Sequence, residues 1–201
     1  MKLFYTPGAC SLAVHIILRE IGQPFGLEKV DLGGHKTASG DDYYRFNAKG
    51  YVPLLELDNG QTLTEGPVIN QYLCDQAGRA DLMPAAGTLM RYRVMEWQSF
   101  ITSELHKSFG ALFNPVLDDR AKAVFAGTAH KRLQWVSEQL RGRQYLTGDD
   151  FTAADAYLFT VAGWSGHVGM DLTDCPELQA FQGRVAARPA VQEALKAEGL
   201  A

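Results

Sequence analysis

The chain has 201 residues, a formal net charge of -4, and 46% hydrophobic and 21% charged residues. These values are ordinary for a globular protein, and the charge gives no electrostatic reason to expect nucleic acid as a partner. The apolar runs are too short for a membrane span or a signal peptide, so no membrane partner is expected. The three cysteines, Cys10, Cys74 and Cys175, fit no disulfide framework, which indicates a reducing, cytoplasmic compartment.

The start of the chain predicts a strand, a turn and a helix. Residues 3–5 are strand formers, and Pro7-Gly8 breaks the strand. Apolar residues then recur at helical spacing, and Gly22 suits a helix C-terminus. The helix is therefore expected to open at Cys10 or Ser11.

Cys10 consequently lies at or beside a helix N-terminus. The free backbone N–H groups and the positive end of the helix dipole favour a thiolate there. We expect the pKa of Cys10 to lie below about 8.5, the value of an unperturbed thiol. The alternative is a small, half-buried residue with no reactive role.

The next segment predicts further strands and one helix. Asp58-Asn59-Gly60 is a hairpin turn signal, and Gly66 and Pro67 suit the N-cap and first position of the helix that follows. The predicted elements are a strand at 25–32, a loop at 33–42, a short helix at 43–47, strands at 54–57 and 61–64, and a helix from Pro67. The order is βαβ, a loop-helix, then ββα.

The strand signals stop after a linker at 79–87. Thr152 and Asp155 resemble a capping box with aspartate in place of the usual glutamate. The predicted helices cover 89–109, 120–140, 153–164, 176–187 and 190–197. The expected fold class is α/β plus all-α: an α/β domain at 1–78 and an all-helical domain at 88–201.

This architecture resembles a thioredoxin-like domain followed by a helical domain, as in the cytosolic glutathione transferases. Local strings are similar to the bacterial beta class, and especially to members from aromatic-pollutant degradation clusters. The strings are Lys2-Leu3-Phe4-Tyr5, Pro7-Gly8-Ala9-Cys10-Ser11-Leu12, Lys36-Thr37-Ala38-Ser39-Gly40, Tyr51-Val52-Pro53, Leu63-Thr64-Glu65-Gly66, Ser103-Glu104-Leu105-His106-Lys107, Ala153-Ala154-Asp155-Ala156-Tyr157-Leu158-Phe159 and Ala180-Phe181-Gln182-Gly183-Arg184-Val185. The resemblance covers essentially the whole chain.

The resemblance implies a binding site for the backbone and γ-glutamyl end of glutathione. It implies a cis Val52–Pro53 bond, with the Val52 N–H and C=O pairing with the ligand; the alternative is an ordinary strand-start proline. Gly66 would offer helix N-terminal N–H groups to the γ-glutamyl carboxylate, and Glu65 would accept from its ammonium group. The alternative for Glu65-Gly66 is a plain helix cap.

Two further contacts follow from the resemblance. His35 or Lys36 would meet the glycyl carboxylate, unless they are solvated loop residues. Ser99, Ser103 and Glu104 would reach the ligand of a neighbouring subunit, so the site would be complete only in a homodimer. The chain departs from its relatives in three places: Gly66 stands where many have serine, His35 where lysine is common, and Ser99 where asparagine is commoner.

The reactive sulfur of glutathione has several possible partners. Cys10 is what beta-class members point at it, and His106 and Lys107 would lower the pKa of Cys10 further. Tyr5 and Ser11 are lower-ranked candidates for donating a hydrogen bond to the glutathione thiolate. The competing interpretation is that Tyr5 belongs to the strand core and Ser11 caps the helix. A cysteine can also attack a disulfide, and Ala13 at the Cys-x-x-Cys position makes any such cycle monothiol.

The expected function is conjugation of reduced glutathione to hydrophobic electrophiles, with Cys10-dependent thiol-disulfide exchange and glutathione-dependent dechlorination as further activities. Glutathione is the co-substrate, and neither a prosthetic group nor a metal site is expected. A dedicated thiol transferase and a non-catalytic glutathione-binding module remain alternatives. Thr152, Asp155 and the hydrogen-bonded packing residue His15 are assigned to folding. The expected liners of an apolar electrophile pocket between the domains are Phe109, Phe113, Trp164 and His167.

Overall fold

The computed structural model describes residues 1–201. The chain divides into two compact units: one comprises residues 1–80 and 188–201, and the other residues 81–187. The strands are β1 Lys2–Tyr5, β2 Gly26–Asp31, β3 Lys36–Thr37, β4 Leu54–Glu56 and β5 Thr62–Thr64. The α-helices are α1 Ser11–Ile21, α2 Gly66–Gln76, α3 Leu89–Phe100, α4 Lys107–Leu112, α5 Asp119–Leu140, α6 Ala153–His167, α7 Pro176–Ala186 and α8 Pro189–Glu198. A 3₁₀ turn covers Tyr43–Arg45, and a π-helical segment covers Ile101–His106.

The first unit is built on one five-stranded sheet with the order β3-β2-β1-β4-β5. The central strand β1 is parallel to β2 and antiparallel to β4, and β4 continues into β5 through a hairpin. The helix α1 provides the crossover that parallel strands require. Leu3 and Phe4 of β1 are completely buried, so the core of this unit surrounds the central strand.

The short strand β3 lies inside the segment predicted as a loop. Lys36 and Thr37 pair antiparallel with Asp31 and Val30 of β2. The loop prediction is wrong here because the pairing involves only two residues, too few to produce a periodic sequence signal. The residues around it remain irregular, as predicted.

The last helix, α8, groups with the first unit and packs against α1. Val191 and Ala194 of α8 are completely buried. Glu198 accepts hydrogen bonds from the Gly8 N–H at 2.9 Å and from His15 Nδ1 at 2.8 Å. The predicted domain at 88–201 included this helix, because helical periodicity identifies a buried face but not the surface that buries it.

His15 is confirmed as a hydrogen-bonded packing residue. Its side chain is completely buried, and its Nε2 accepts from Arg19 Nε at 3.3 Å while Nδ1 faces Glu198. Because Nε2 is an acceptor, the proton lies on Nδ1, which therefore donates to the carboxylate.

The second unit is helical throughout its core. The helix predicted at 89–109 continues to Leu112, and its middle is the π-helical segment between α3 and α4. The capping box predicted at the start of α6 is confirmed: Asp155 accepts from both the N–H and Oγ1 of Thr152 at 2.8 Å. None of the helices combines the length and apolar character that crossing a bilayer requires.

Candidate functional site

Cys10 is the N-cap residue of α1, at the end of the turn that follows β1. The turn is closed by backbone hydrogen bonds from Ala9 N to Thr6 O at 3.0 Å and from Leu12 N to Ala9 O at 2.9 Å. The Cys10 thiol donates to the Val52 carbonyl, with Sγ 3.1 Å from the oxygen. The turn therefore holds a sulfur against the segment that precedes β4.

The prediction of a lowered Cys10 pKa is wrong for this structure. Burial raises the pKa of the thiol to about 11, although the N–H groups of Cys10 and Ser11 act to lower it. The charge of Glu65 raises the pKa further. Desolvation of the thiolate thus outweighs the helix N-terminus, and Cys10 is a neutral hydrogen-bond donor near pH 7.

The two lower-ranked alternatives, Tyr5 and Ser11, are built into the core. The Ser11 side chain is completely buried, and its hydroxyl bonds to both the N–H and the C=O of Thr6 at 3.2 Å. Tyr5 is buried in β1, with its ring centroid 6.1 Å from that of His15. Burial, with the charges of Glu198 and Glu28, raises the pKa of Tyr5. The Cys10 thiol, in contrast, is hydrogen-bonded to the Val52 carbonyl.

The Val52–Pro53 bond is cis, as the resemblance implies. The preceding carbonyl, that of Tyr51, accepts from Tyr43 Oη and from Asn47 Nδ2, both at 2.7 Å. These two buried side chains fix the backbone just before Val52. Sequence reasoning did not assign Tyr43 or Asn47 a role, because their contacts are formed only in the folded loop.

Glu65 and Gly66 form the start of α2, one position earlier than predicted. Glu65 is the N-cap and Gly66 the first helical residue. Glu65 has φ = 68°, a conformation that costs a non-glycine residue about 1–3 kcal/mol and concentrates at functional sites. A Cβ built on Gly66 would lie 3.8 Å from Pro53 Cγ, which brings the start of α2 beside the cis-proline segment.

Lys49 is the partner of Glu65 that sequence reasoning missed. Its Nζ lies 2.7 Å from Glu65 Oε1 and 3.0 Å from Thr64 Oγ1. Both side chains are partly exposed, so the pair is screened and contributes little to stability. No sequence spacing indicates the contact, since the two residues lie on different elements.

His35 and Lys36 do not join this group. The His35 ring stacks on Tyr44 with centroids 4.5 Å apart, and its Nδ1 is buried without a hydrogen-bond partner. A Cβ on Gly50 would lie 3.0 Å from that nitrogen, so the imidazole packs closely over Gly50. Lys36 is exposed on the edge strand β3. The contact of His35 or Lys36 with a glycyl carboxylate stays a prediction.

The predicted site residues of the second unit cluster on the π-helical segment and its flanks. π-helical turns are frequent at functional sites. Ser103 Oγ donates to the Ser99 carbonyl at 3.0 Å, and Glu104 pairs with Arg132 at 2.8 Å. His106 Nδ1 lies 2.6 Å from Tyr157 Oη, and the exposed Lys107 follows it. Tyr157 therefore orients the imidazole, a role that sequence reasoning had not assigned.

Two of the four predicted pocket liners border a cavity of about 660 Å³ in the second unit: Phe113 and His167. Phe109 is completely buried and Trp164 is 8% exposed, and neither borders this cavity. Trp164 packs its ring edge-on against His106, with centroids 4.9 Å apart. All four were expected to line a pocket, and Phe109 and Trp164 instead fit the other interpretation of an aromatic residue at helical spacing, burial in the core.

Family comparisons match both halves of the chain. Residues 8–76 match the glutathione S-transferase N-terminal domain, and residues 103–198 match the glutathione S-transferase C-terminal domain. The glutathione S-transferase GstA of Escherichia coli O157:H7 is 47% identical over 200 residues, covering 100% of both chains.

Solved structures show the same fold over the whole chain. The beta-class glutathione S-transferase of Sphingomonas chungbukensis has a TM-score of 0.97 and 48% identity, covering 100% of both chains. A sphingomonad glutathione S-transferase complexed with glutathione has a TM-score of 0.95 and 49% identity, also over 100% of both chains.

Proposed function

The chain belongs to the beta class of bacterial glutathione S-transferases, and on that premise we propose that Cys10 performs two kinds of sulfur chemistry with glutathione. The first is donation of a hydrogen bond to the glutathione thiolate during conjugation to an electrophile. The second is thiol-disulfide exchange. Glutathione is the substrate, and the family uses no prosthetic group.

The observation that carries the proposal is the placement of the Cys10 thiol 3.1 Å from the Val52 carbonyl. An extended peptide bound along Val52 would bring its own cysteine sulfur near Cys10. That sulfur could then accept the hydrogen bond from the Cys10 thiol, instead of the Val52 carbonyl or together with it. The N-terminus of α2, at Gly66, supplies N–H groups suited to a carboxylate. The sphingomonad relative that carries glutathione adds support, since it shares the fold of this chain.

The protonation state of Cys10 separates the two activities. With a pKa of about 11, the Cys10 thiol keeps its proton near pH 7. It can therefore donate a hydrogen bond to the glutathione thiolate, as a hydroxyl would. A hydrogen bond to a charged group contributes about 1.5–3 kcal/mol. Conjugation therefore uses Cys10 as a donor, and exchange uses the small thiolate fraction.

The exchange reaction balances with glutathione as the only reductant. The Cys10 thiolate attacks the glutathione sulfur of a mixed disulfide; a sulfur–sulfur bond to Cys10 forms and the other thiol leaves, taking a proton. A second glutathione thiolate then attacks the Cys10 adduct, forming oxidised glutathione and releasing the Cys10 thiolate. No second cysteine of the chain is needed, which agrees with Ala13 at the resolving position.

Dechlorination would take two steps of its own. A glutathione thiolate displaces chloride from an activated organic chloride and forms a thioether. A second glutathione thiolate attacks the thioether sulfur, the carbon–sulfur bond breaks, and the carbon takes a proton from solvent, giving oxidised glutathione and the reduced product. Two thiols supply the two electrons. The support for this step is the resemblance alone, and release of chloride together with oxidised glutathione is its direct assay.

The remaining predictions complete the proposal. Ser99, Ser103 and Glu104 are proposed to contact glutathione bound to a second copy of the chain, so that the homodimer is the active form. His106 and Lys107 are proposed to stabilise the thiolate form of Cys10. Phe113 and His167 are proposed to contact a hydrophobic electrophile. A reducing, cytoplasmic setting is proposed because reduced glutathione is required and none of the three cysteines forms a disulfide.

The test uses Cys10→Ala and Cys10→Ser, with Cys74→Ser as the matched control. Each protein is incubated with oxidised glutathione and its intact mass is measured, and turnover of a model chloroarene is assayed in parallel. We expect a glutathionyl adduct on the wild type and the control but on neither Cys10 variant. Conjugation should fall about 10- to 100-fold in Cys10→Ala and recover in part in Cys10→Ser, which keeps a donor.

An adduct that persists in Cys10→Ala would overturn the exchange role. Unchanged conjugation in that variant would overturn the donor role and direct attention to Tyr5 and Ser11. Exchange without conjugation in the wild type would identify a dedicated thiol transferase. Retention on a glutathione resin with neither activity would identify a non-catalytic binding module.

A further inference from the structure

Three side chains with metal-binding atoms meet in the second unit, and none of them is a residue assigned above to glutathione. They are His130 on α5 and the consecutive residues Asp174 and Cys175 at the start of α7. Their ligand atoms all lie within 4.8 Å of one another. No metal site was expected from the sequence, because His130 lies 44 positions before Asp174 and no metal-ligand spacing is present.

We propose that His130, Asp174 and Cys175 bind a borderline divalent transition-metal ion, with Zn²⁺ as the expected occupant. The nitrogen, carboxylate oxygen and thiolate sulfur form a mixed donor set that suits zinc and its neighbours rather than magnesium or calcium. Three protein ligands leave a fourth position for water. Binding displaces the Cys175 thiol proton to solvent as the metal–sulfur bond forms.

The distances fit a tetrahedral site after a small contraction. Asp174 Oδ1 is 3.0 Å from His130 Nε2 and 3.5 Å from Cys175 Sγ. With the usual zinc–ligand bond lengths, neighbouring ligand atoms of a tetrahedral site stand about 3.3–3.6 Å apart. Two of the three separations are therefore already close to the required values, and the third closes by rotation of the partly exposed His130 side chain.

The Asp174 carboxylate is held in place by a hydrogen bond to its other oxygen, Oδ2. Gln134 Nε2 donates to Asp174 Oδ2 at 2.7 Å, which leaves Oδ1 directed at both other ligands. The loop from Asp171 is also fixed, because Cys175 N donates to Leu172 O at 2.9 Å and Thr173 N to Asp171 Oδ1 at 2.9 Å. Such outer contacts orient metal ligands and reduce the ordering that binding requires.

An ion can reach the cluster from solvent. The side chains of His130 and Asp174 are 33% and 46% exposed, while Cys175 is completely buried. His130 also borders the cavity of about 660 Å³, together with Asp171 and His167. A bound ion would therefore lie at the margin of this cavity, with its water-binding position accessible.

The test is titration of the tag-free, chelator-treated full chain with Co²⁺, which reports its ligands by absorbance. We expect one equivalent to produce a sulfur-to-cobalt charge-transfer band and tetrahedral visible bands, and Zn²⁺ to displace them. Cys175→Ser should remove the charge-transfer band, and Cys74→Ser, a second buried cysteine, should retain it. Cys10→Ala should also retain it, which excludes the proposed glutathione site as the source.

A variant that leaves the core unchanged guards against misfolding of Cys175→Ser. His130→Gln should weaken Co²⁺ binding about tenfold or more while circular dichroism stays that of the wild type. The absence of a charge-transfer band in the wild type, or its persistence in Cys175→Ser, would overturn the proposal. Unchanged affinity in His130→Gln would do the same and leave the three residues as a hydrogen-bonded anchor of α7. None of these outcomes depends on transferase activity.

Discussion

Cys10 and Cys175 occupy equivalent positions in the two units, each as the N-cap of a helix. Neither cap makes a side-chain hydrogen bond to its helix. Instead, the Cys10 thiol donates to a neutral carbonyl at 3.1 Å, and the Cys175 thiol faces the Asp174 carboxylate at 3.5 Å. The two thiols share a backbone setting but differ in their partners.

Both cysteines show that a helix N-terminus alone does not produce a reactive thiol. Burial raises the pKa of Cys10 to about 11 and that of Cys175 to about 12. The hydrogen bond and charge of Asp174 add to the increase at Cys175. What distinguishes the two is access: Cys10 is half-buried and stands beside a proposed ligand segment, whereas Cys175 is completely buried. Their reactivities should therefore differ in kind.

The largest expected effect is on alkylation. With a pKa of about 11, Cys10 is about 0.01% thiolate at pH 7, so its reaction with iodoacetamide should be about 100- to 300-fold slower than that of an unperturbed thiol. The rate should rise about tenfold per pH unit towards pH 11. Cys175 should react only when the protein unfolds. Peptide mass spectrometry over a pH series measures both rates, and fast labelling of Cys10 at pH 7 would contradict the raised pKa.

Alkaline pH should also weaken the fold through Cys10. Its folded-state pKa, about 11, exceeds the ordinary value of 9.0, so the folded state holds the proton more tightly than the unfolded state. The tighter proton binding adds to the free energy of unfolding. By linkage, this stabilisation is complete below pH 9 and is lost as the pH rises through 11. Urea midpoints between pH 8 and 11 should fall less in Cys10→Ala than in the wild type. An equal fall of the urea midpoint in both proteins would exclude Cys10 as the source of the alkaline destabilisation.

The start of α6 gives the contrasting case of a helix with a true side-chain cap. Asp155 is completely buried and accepts from Leu146 N and from the N–H and Oγ1 of Thr152, each at 2.8 Å. Asp155→Ala would leave these buried donors without a partner, at about 1–3 kcal/mol for a typical group. We expect a loss of about 3 kcal/mol in unfolding free energy, measured by urea denaturation. Cys10→Ala, which removes no cap bond, should lose less than half as much.

The features that the sequence predicted correctly are local. The turn after β1, the left-handed Gly22 that ends α1, the Asp58-Asn59-Gly60 hairpin and the capping box at Thr152 each depend on residues a few positions apart. Propensity and turn chemistry act at that range. These elements were enough to indicate the fold class and, with the family strings, the position of the proposed site.

The features that the sequence did not predict depend on contacts between distant segments. The Lys49–Glu65 pair joins two elements, α8 packs on α1, and His130 meets Cys175 only after α5 and α7 have packed. The error in the Cys10 pKa has the same origin. The helix N-terminus can be read from neighbouring residues, but the burial that outweighs it comes from the folded unit.

The start of α2 is a fourth helix N-terminus, and its first helical residue is Gly66, where the family resemblance implies serine in many members. A Cβ at Gly66 would meet Pro53 Cγ and Val14 Cγ2 at 3.8 Å, ordinary contact distances. Gly66→Ser should therefore fold normally and add one hydrogen bond to a γ-glutamyl carboxylate. At about 0.5–1.5 kcal/mol per bond, the KM for glutathione should fall about two- to tenfold. Gly66→Ala is the matched control, and an equal fall in both variants would exclude the hydroxyl as the cause.

The smallest expected effect concerns the glutamate that acts on each cysteine. Glu65 raises the pKa of Cys10, and Glu177 raises that of Cys175. Each glutamate has the weakest influence on its cysteine's pKa, so Glu65→Gln should increase the alkylation rate of Cys10 at pH 8 by less than about tenfold, the equivalent of one pKa unit. Glu177→Gln should leave the rate at Cys175 unchanged, because access and not the pKa limits it. Glu96→Gln, at an exposed position of α3, controls for a general change in charge. A measurable increase at Cys175 would show that its burial is transient, and the contrast between the two cysteines would then be one of degree.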